Sequence, residues 1–490
     1  MQPLVDHSSC DRTMIDSRAA VVSVHDAGVG AAFGELAGFR TELYRCLPRR
    51  GDVLFELCDA VLCAEGPVTT LVGLSLTAEH RRGHGALYDG LASGRVDVTR
   101  LRQAVTSVSV PRDHAGRIVL AVDVSAWLRP DAPTSPDRSY CHVSARGKGQ
   151  AQMIPGWPYS FVAALEPGRT SWTGLLDAQR LRPGDDTTAV TAGQVRDVLE
   201  RLKRAGHWRA GDPPVLVVCD AGYDLPRLAH LLTDQQVEVL GRLRSDRTFR
   251  FPPPPPRRRD GGPGRDVGRP RKHGPTFKLP DPATHPEPET TTVTVTDRYG
   301  LARADGWTRL SPLLARRDGW KHHTGPLPTI PGSIIRLTVE RLPGTRTPKP
   351  VWLWHSHPSL DPTSMNRLWQ AFLRRFDLEH TFRFLKHTLG WTRPRTRSPE
   401  QADRWTWLIL AAHTQLRLAR HHTHDLRRPW EKPPTHPHPL TPNRVRRGFP
   451  YLHRKTTHPT RAPKPTRPGP GRPPGTRNHH PATHHPIGTG

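Results

Sequence analysis

The chain has no apolar run of 18 residues, so no segment reads as a membrane-spanning helix. It also lacks a basic amphipathic helix with a clean apolar face, which argues against a membrane-surface protein. Cysteine is scarce: Cys10, Cys46, Cys58, Cys63, Cys141 and Cys219 are the full set. No two share C-x-x-C spacing, and none sits near a regular His-x-x-x-His. Zinc-finger and disulfide-framework readings are therefore weak, and reduced, partly buried thiols are expected. Lysine is rare as well, 10 residues against 62 arginines. That bias is mainly a trace of a GC-rich genome, though guanidinium also suits bidentate phosphate contact. The start, Met1 to Arg12, is polar and has no apolar signal-peptide core, so a cytoplasmic protein without membrane contact is expected.

What the chain does carry is positive charge. Its 72 Lys and Arg outweigh 45 Asp and Glu, leaving a formal net charge of +27. Such a balance favours a polyanionic partner, because each neutralised phosphate releases counterions. At 490 residues the chain has length for two or three domains.

Residues 1–112 read as a helical N-terminal domain, either a DNA-binding unit or, equally, a plain helical subdomain. Ala31 to Ala60 has helical apolar spacing broken at Pro48 and Gly51. Ile118-Val-Leu-Ala-Val-Asp123 is then a continuous apolar run ending in an acid, the pattern of a buried central strand. Strands are expected at Tyr140–Ser144 and Tyr159–Leu165, and an amphipathic helix at Thr191–Ala205. Val215-Leu-Val-Val-Cys-Asp220 repeats the strand-then-acid pattern, and Val237–Leu243 is a further strand. This order predicts an α/β fold, with a core over 113–425. An insertion over about 245–350 opens with a Pro/Arg/Gly-rich stretch and carries strands at Thr290–Thr296 and Ser333–Leu342. Helices follow at Ser364–Leu389 and Glu400–Arg420. Residues 426–490 are rich in Pro, Arg and His and are expected to form a disordered basic tail.

Two acids that follow apolar strands of one sheet are candidates to converge, since open α/β sheets place ligands at strand ends. A third candidate lies on a helix. Phe372, Arg375, Glu379 and Lys386 stand at offsets that fall within an arc of about 60°. A neighbouring stripe, Leu378, Phe382, Leu385 and Leu389, predicts the core face. By itself the Arg375–Glu379 pair reads equally as a surface i,i+4 ion pair. The nearest competing acids are Asp224 and Asp377, the latter about 160° from Glu379 around the helix.

The spacing of Arg375, Glu379 and Lys386 resembles the Y-x2-R-x3-E-x6-K signature helix of one group of DDE transposases from bacterial insertion sequences, with Phe372 in place of Tyr. Asp220-Ala221-Gly222-Tyr223 is similar to the second motif of that family, and Asp123 to the first. The order Asp, Asp, long insertion, Glu agrees too. This resemblance spans roughly residues 115–420. It implies a ribonuclease H-like core and a catalytic, metal-binding triad of Asp123, Asp220 and Glu379. It also implies Arg375 and Lys386 as phosphate contacts. The expected chemistry is cleavage and strand transfer at the ends of a mobile element, on two Mg²⁺ or Mn²⁺ ions. In this expectation Asp123 bridges the ions, while Asp220 and Glu379 each complete one. The expected partners are double-stranded DNA, both terminal inverted repeats and target, and a second copy of the chain.

Gly268-Arg-Pro-Arg-Lys272 resembles an AT-hook core, making Arg269 and Arg271 candidate minor-groove contacts; an ordinary basic linker is the plainer reading. Trp307 and Trp320 lie in the insertion, where relatives use aromatics to hold a flipped base. Three rivals stand beside the transposase. One is a domesticated, catalytically degenerate relative that only binds DNA. Another is a structure-selective nuclease of the same fold. The third, a phosphatase of the haloacid-dehalogenase type, needs an acid two residues after Asp123, where this chain has Ser125.

Overall fold

The structure, a computed structural model, describes residues 33–144, 151–168, 170–254, 273–342, 347–432, 439–464 and 484–486. The chain divides into two compact units. The first comprises 1–108, 170–172 and 383–476, and the second 109–169, 173–382 and 477–490.

The second unit is built on one large sheet. Strand β1 (Val119–Leu128) pairs antiparallel with β3 (Ala151–Leu165) and parallel with β5 (Val215–Cys219). Beside β3 lie β2 (Arg138–Ser144) and β4 (Thr173–Arg180). Beside β5 lies β6 (Val237–Arg242), in parallel. The order β4–β3–β1–β5–β6 is compatible with the expected ribonuclease H-like core. Val119–Val122 and all of β5 are buried, which is why both runs are continuously apolar.

Helix α6 (Thr187–Arg204) is started by Asp186, whose side chain accepts from the Ala189 N–H. It buries Val195, Val198, Leu199 and Leu202 in the cluster that holds Leu120, Val122, Val162 and Val217. Helix α7 (Leu225–Leu231) connects β5 to β6. Gly241 lets Leu225 pack against β6: a Cβ there would stand 2.4 Å from Leu225 Cδ2.

After β6 come β7 (Thr248–Arg250), β8 (Thr276–Lys278), β9 (Thr290–Thr296), β10 (Gly300–Pro312), β11 (Gly332–Val339) and β12 (Val351–His355). The insertion therefore runs to His355 rather than to about 350. β12 pairs with β6, so the insertion extends the central sheet. Hydrogen bonding along the free edge of β6 is the reason that last strand belongs to it. Helix α8 (Pro362–Arg374) follows, with Asp361 as its N-cap and Pro362 in its first turn. Helix α9 (Phe376–His387) comes next. The single helix expected over Ser364–Leu389 is thus two, divided at Arg375.

The first unit is helical. It holds a helix at residues 33–45 (α1), α2 (Gly51–Cys63), α3 (Leu71–Leu74), α4 (His84–Ser93) and α5 (Val98–Ser107). It also holds α10 (Pro399–Ala419) and α11 (Pro442–His453). Two expectations are corrected here. Helix α10 belongs with the N-terminal helices and not with the core expected over 113–425. Its run Trp405–Ala412 is buried all round, so it needs helices on every side, and α2, α4, α5 and α11 pack against it. The expected disordered tail contains α11, whose Val445, Phe449 and Leu452 are buried. In the second unit, the backbone of His484–Pro486 adds a short strand, β13, parallel to β2. The candidate groove residues Arg269 and Arg271 lie outside the described residues.

Candidate active site

Asp123 does not end its strand, as the apolar run had suggested: β1 continues five residues beyond it, to Leu128. The parallel pairing of β1 with β5 is what stops here. Val122 is opposite Cys219, the last residue of β5, and the residues that follow are Asp123, still on β1, and Asp220, in the turn after β5. Their alignment follows from strand register, so the two acids are neighbours for a backbone reason. Beyond that point β1 continues against the antiparallel β3, with Asp123 opposite Phe161.

Arg375 joins these acids to the third. Its Nη1 donates to Asp123 Oδ2 at 3.2 Å, and its Nη2 to Glu379 Oε1 at 2.9 Å. The same Nη2 lies 3.6 Å from Asp220 Oδ2. One guanidinium thus gathers three carboxylates from β1, the turn after β5, and the first turn of α9. The Arg375 side chain is only 3% exposed. Phe372 and Phe376 flank it, their ring centres 5.9 and 5.3 Å from its Cζ. Phe372 is buried and therefore acts as packing beneath the guanidinium. In these contacts Nη1 and Nη2 of Arg375 are turned to carboxylates, while its Nε is buried with no hydrogen-bond partner among the described residues. Its i,i+4 pairing with Glu379 was legible in the sequence, but its bond to Asp123 spans 252 positions and had no local signal.

Burial pushes the Asp123 carboxyl up to about 6, against the pull of Arg375 and of the Val124 N–H that Oδ1 accepts at 2.8 Å; the charges of Asp220 and Glu379 raise it further. Beneath it, burial also pushes the Cys219 thiol up. Asp220 Oδ1 is buried and has no hydrogen-bond partner among the described residues. A buried carboxylate oxygen without a donor is costly, and two more carboxylates stand beside it. An all-oxygen donor set of this kind fits a hard divalent cation such as Mg²⁺ or Mn²⁺.

The competing acids are committed elsewhere. Asp224 is the N-cap of α7 and accepts from the Arg227 N–H, and Asp377 pairs with Arg374 at 2.8 Å. Lys386 belongs to the first unit, half-buried, with Nζ 5.6 Å from the Trp391 ring centre. Trp307 is buried against Phe277 and Trp352 and donates its Nε1–H to the Pro286 carbonyl. Trp320 is buried beside His230. Neither tryptophan presents a free face for a flipped base. Phe376, 47% exposed beside Arg375, is an aromatic that the sequence reading passed over. Its signal was adjacency to the signature arginine.

Comparison with protein families matches residues 42–311 to the family described as DDE superfamily endonuclease. The matched region includes Asp123 and Asp220 and ends before Glu379. No curated protein matches the chain. Among the described residues no helix is long and apolar enough to cross a membrane.

Proposed function

The chain belongs to the DDE superfamily endonucleases, and from that premise we propose that it is the transposase of an insertion sequence, cutting DNA at the element's ends and joining them to a target. The observation that carries this reading is the gathering of Asp123, Asp220 and Glu379 around one buried guanidinium. Asp123, Asp220 and Glu379 would hold the divalent ions, Mg²⁺ or Mn²⁺, with two the expected number. Such ions, when bound, polarise a phosphoryl oxygen and supply an activated oxygen nucleophile.

The chain's own residues do the positioning. Register between β1 and β5 sets the two aspartates side by side. Arg375, at the junction of α8 and α9, draws Glu379 toward them. Its positive charge offsets the mutual repulsion of three carboxylates in a partly desolvated site. Phe372 and Phe376 fix the plane of that guanidinium. Lys386 would contribute a phosphate contact, and the resemblance supports that role. The proposed partners are the element's terminal repeats, a target duplex and a second copy of the chain.

The test is a nicking and strand-transfer assay in Mg²⁺ on duplexes carrying the element's terminal repeats. Asp123→Ala, Asp220→Ala and Glu379→Ala should each lower product by about 10³-fold or more, since each removes a metal ligand. Gel-shift binding to the same duplex should persist. Normal cleavage by Glu379→Ala would remove Glu379 from the site. A wild-type chain that binds the ends and never nicks them would favour the domesticated DNA-binding reading.

A further inference from the structure

A second cluster of ligand-type side chains lies in the helical unit, apart from the three carboxylates. Asp59 and Cys63 stand one helical turn apart on α2. Glu79 lies between α3 and α4, and His453 is the last residue of α11. Candidate ligand atoms of Cys63, Glu79 and His453 all lie within 4.8 Å of one another. Ligand atoms around a tetrahedral zinc stand about 3.3–3.8 Å apart, so small side-chain rotations close this set. Cys63 and His453 are buried and Glu79 is half-buried.

We propose that Cys63, Glu79 and His453 bind one zinc ion that ties α11 to α2. The charge distribution around the cluster supports the choice of ligands. Arg40 grips Asp59 through both carboxylate oxygens, at 2.7 and 2.9 Å. Glu56 is paired with Arg81 and Arg82. Glu79, by contrast, has no ion-pair partner among the described residues. The Cys63 thiol stands beside the Glu79 carboxylate, and Arg40, the cation near them, is already held by Asp59.

Asp59 then serves as the orienting acceptor and not as a ligand. His453 Nε2 lies 3.0 Å from Asp59 Oδ2. With that nitrogen donating, Nδ1 keeps the lone pair, the arrangement in which a carboxylate fixes a metal-binding histidine. An alternative set, Asp59, His453 and His458, also lies within 4.8 Å. It would place the cation against the Arg40 guanidinium, which disfavours it. His458, whose Nδ1 stands 4.0 Å from Asp59 Oδ2, lies with that carboxylate and outside the proposed ligand set. A thiolate-containing set selects zinc over magnesium, so this ion is chemically distinct from those proposed at the carboxylates.

Cobalt(II) substitution of the untagged, full-length chain tests the proposal. Added Co²⁺ should give tetrahedral visible bands and a near-ultraviolet thiolate-to-cobalt transition, saturating at one ion per chain and displaced by Zn²⁺. Cys63→Ala should abolish the thiolate transition, and Glu79→Gln should weaken zinc binding by at least about tenfold. Zinc should also raise the melting temperature of wild type and not of Cys63→Ala. Absence of the thiolate transition in the wild-type chain would overturn the proposal, whatever the variants do. So would zinc affinity left unchanged by Cys63→Ala, the result expected if the histidine-rich C-terminal residues alone captured the ion.

Discussion

Asp123 is the most buried of the three carboxylates, with 21% of its side chain exposed against 40% for Asp220 and 46% for Glu379. Burial raises its folded pKa to about 6, above the ordinary aspartate value. A carboxyl shifted in this direction contributes stability that is fully present below its unfolded pKa. That contribution is lost as pH rises through the folded one. In the absence of divalent metal, wild type should therefore lose thermal stability relative to Asp123→Asn between about pH 4 and pH 6. Melting curves of the two proteins across that range, in EDTA, check it; parallel curves would contradict the assignment. Arg375 shows what was and was not readable at this scale. Its partnership with Glu379 is a matter of helix spacing. Its burial among three acids needs the sheet, because the other two acids arrive from strands far away in the chain.

Among the elements, the strands were the most legible. β9 coincides with the expected Thr290–Thr296, and β6 departs from Val237–Leu243 by one residue. Their composition and boundaries are local properties. The length of β1 was not, since Asp123 interrupts the apolar run while antiparallel pairing with β3 carries the strand on to Leu128. Helix α11 was hidden for a different reason. Pro442-Asn-Arg-Val-Arg-Arg-Gly-Phe-Pro-Tyr-Leu-His453 is mostly polar and contains Gly448 and Pro450, so composition argued for an unfolded tail. Val445, Phe449 and Leu452 face inward while Tyr451 is exposed, and α11 packs against α2 and α10. Phe449, fully buried, should cost about 3–5 kcal/mol on substitution by Ala, measured by urea unfolding of the full-length chain. A change within about 0.5 kcal/mol, normal for a solvated tail position, would contradict the packing described.

Taken whole, the molecule carries its +27 charge mainly as arginine. If the proposed DNA partner is right, binding should be dominated by phosphate contacts. Fluorescence anisotropy with a terminal-repeat duplex should then give a log K against log salt slope of about −5 or steeper, corresponding to six or more phosphates. A slope shallower than about −2 would argue against an extended phosphate interface. Part of this molecule was determined by sequence alone. Charge balance, the two strand-then-acid runs and the Arg375–Glu379 spacing are short-range patterns, and hydrophobic burial and helix geometry translate them directly. Tertiary structure decided the rest. It set Asp123 beside Asp220 by strand register, turned Arg375 from a surface cation into a buried tie, and folded α10 and α11 back onto the N-terminal helices. It also brought Cys63, Glu79 and His453 together from three segments that share no motif. The physical reason is common to all four. Each depends on contacts between residues distant in sequence, whose free energy comes from packing and charge pairing that no local window contains.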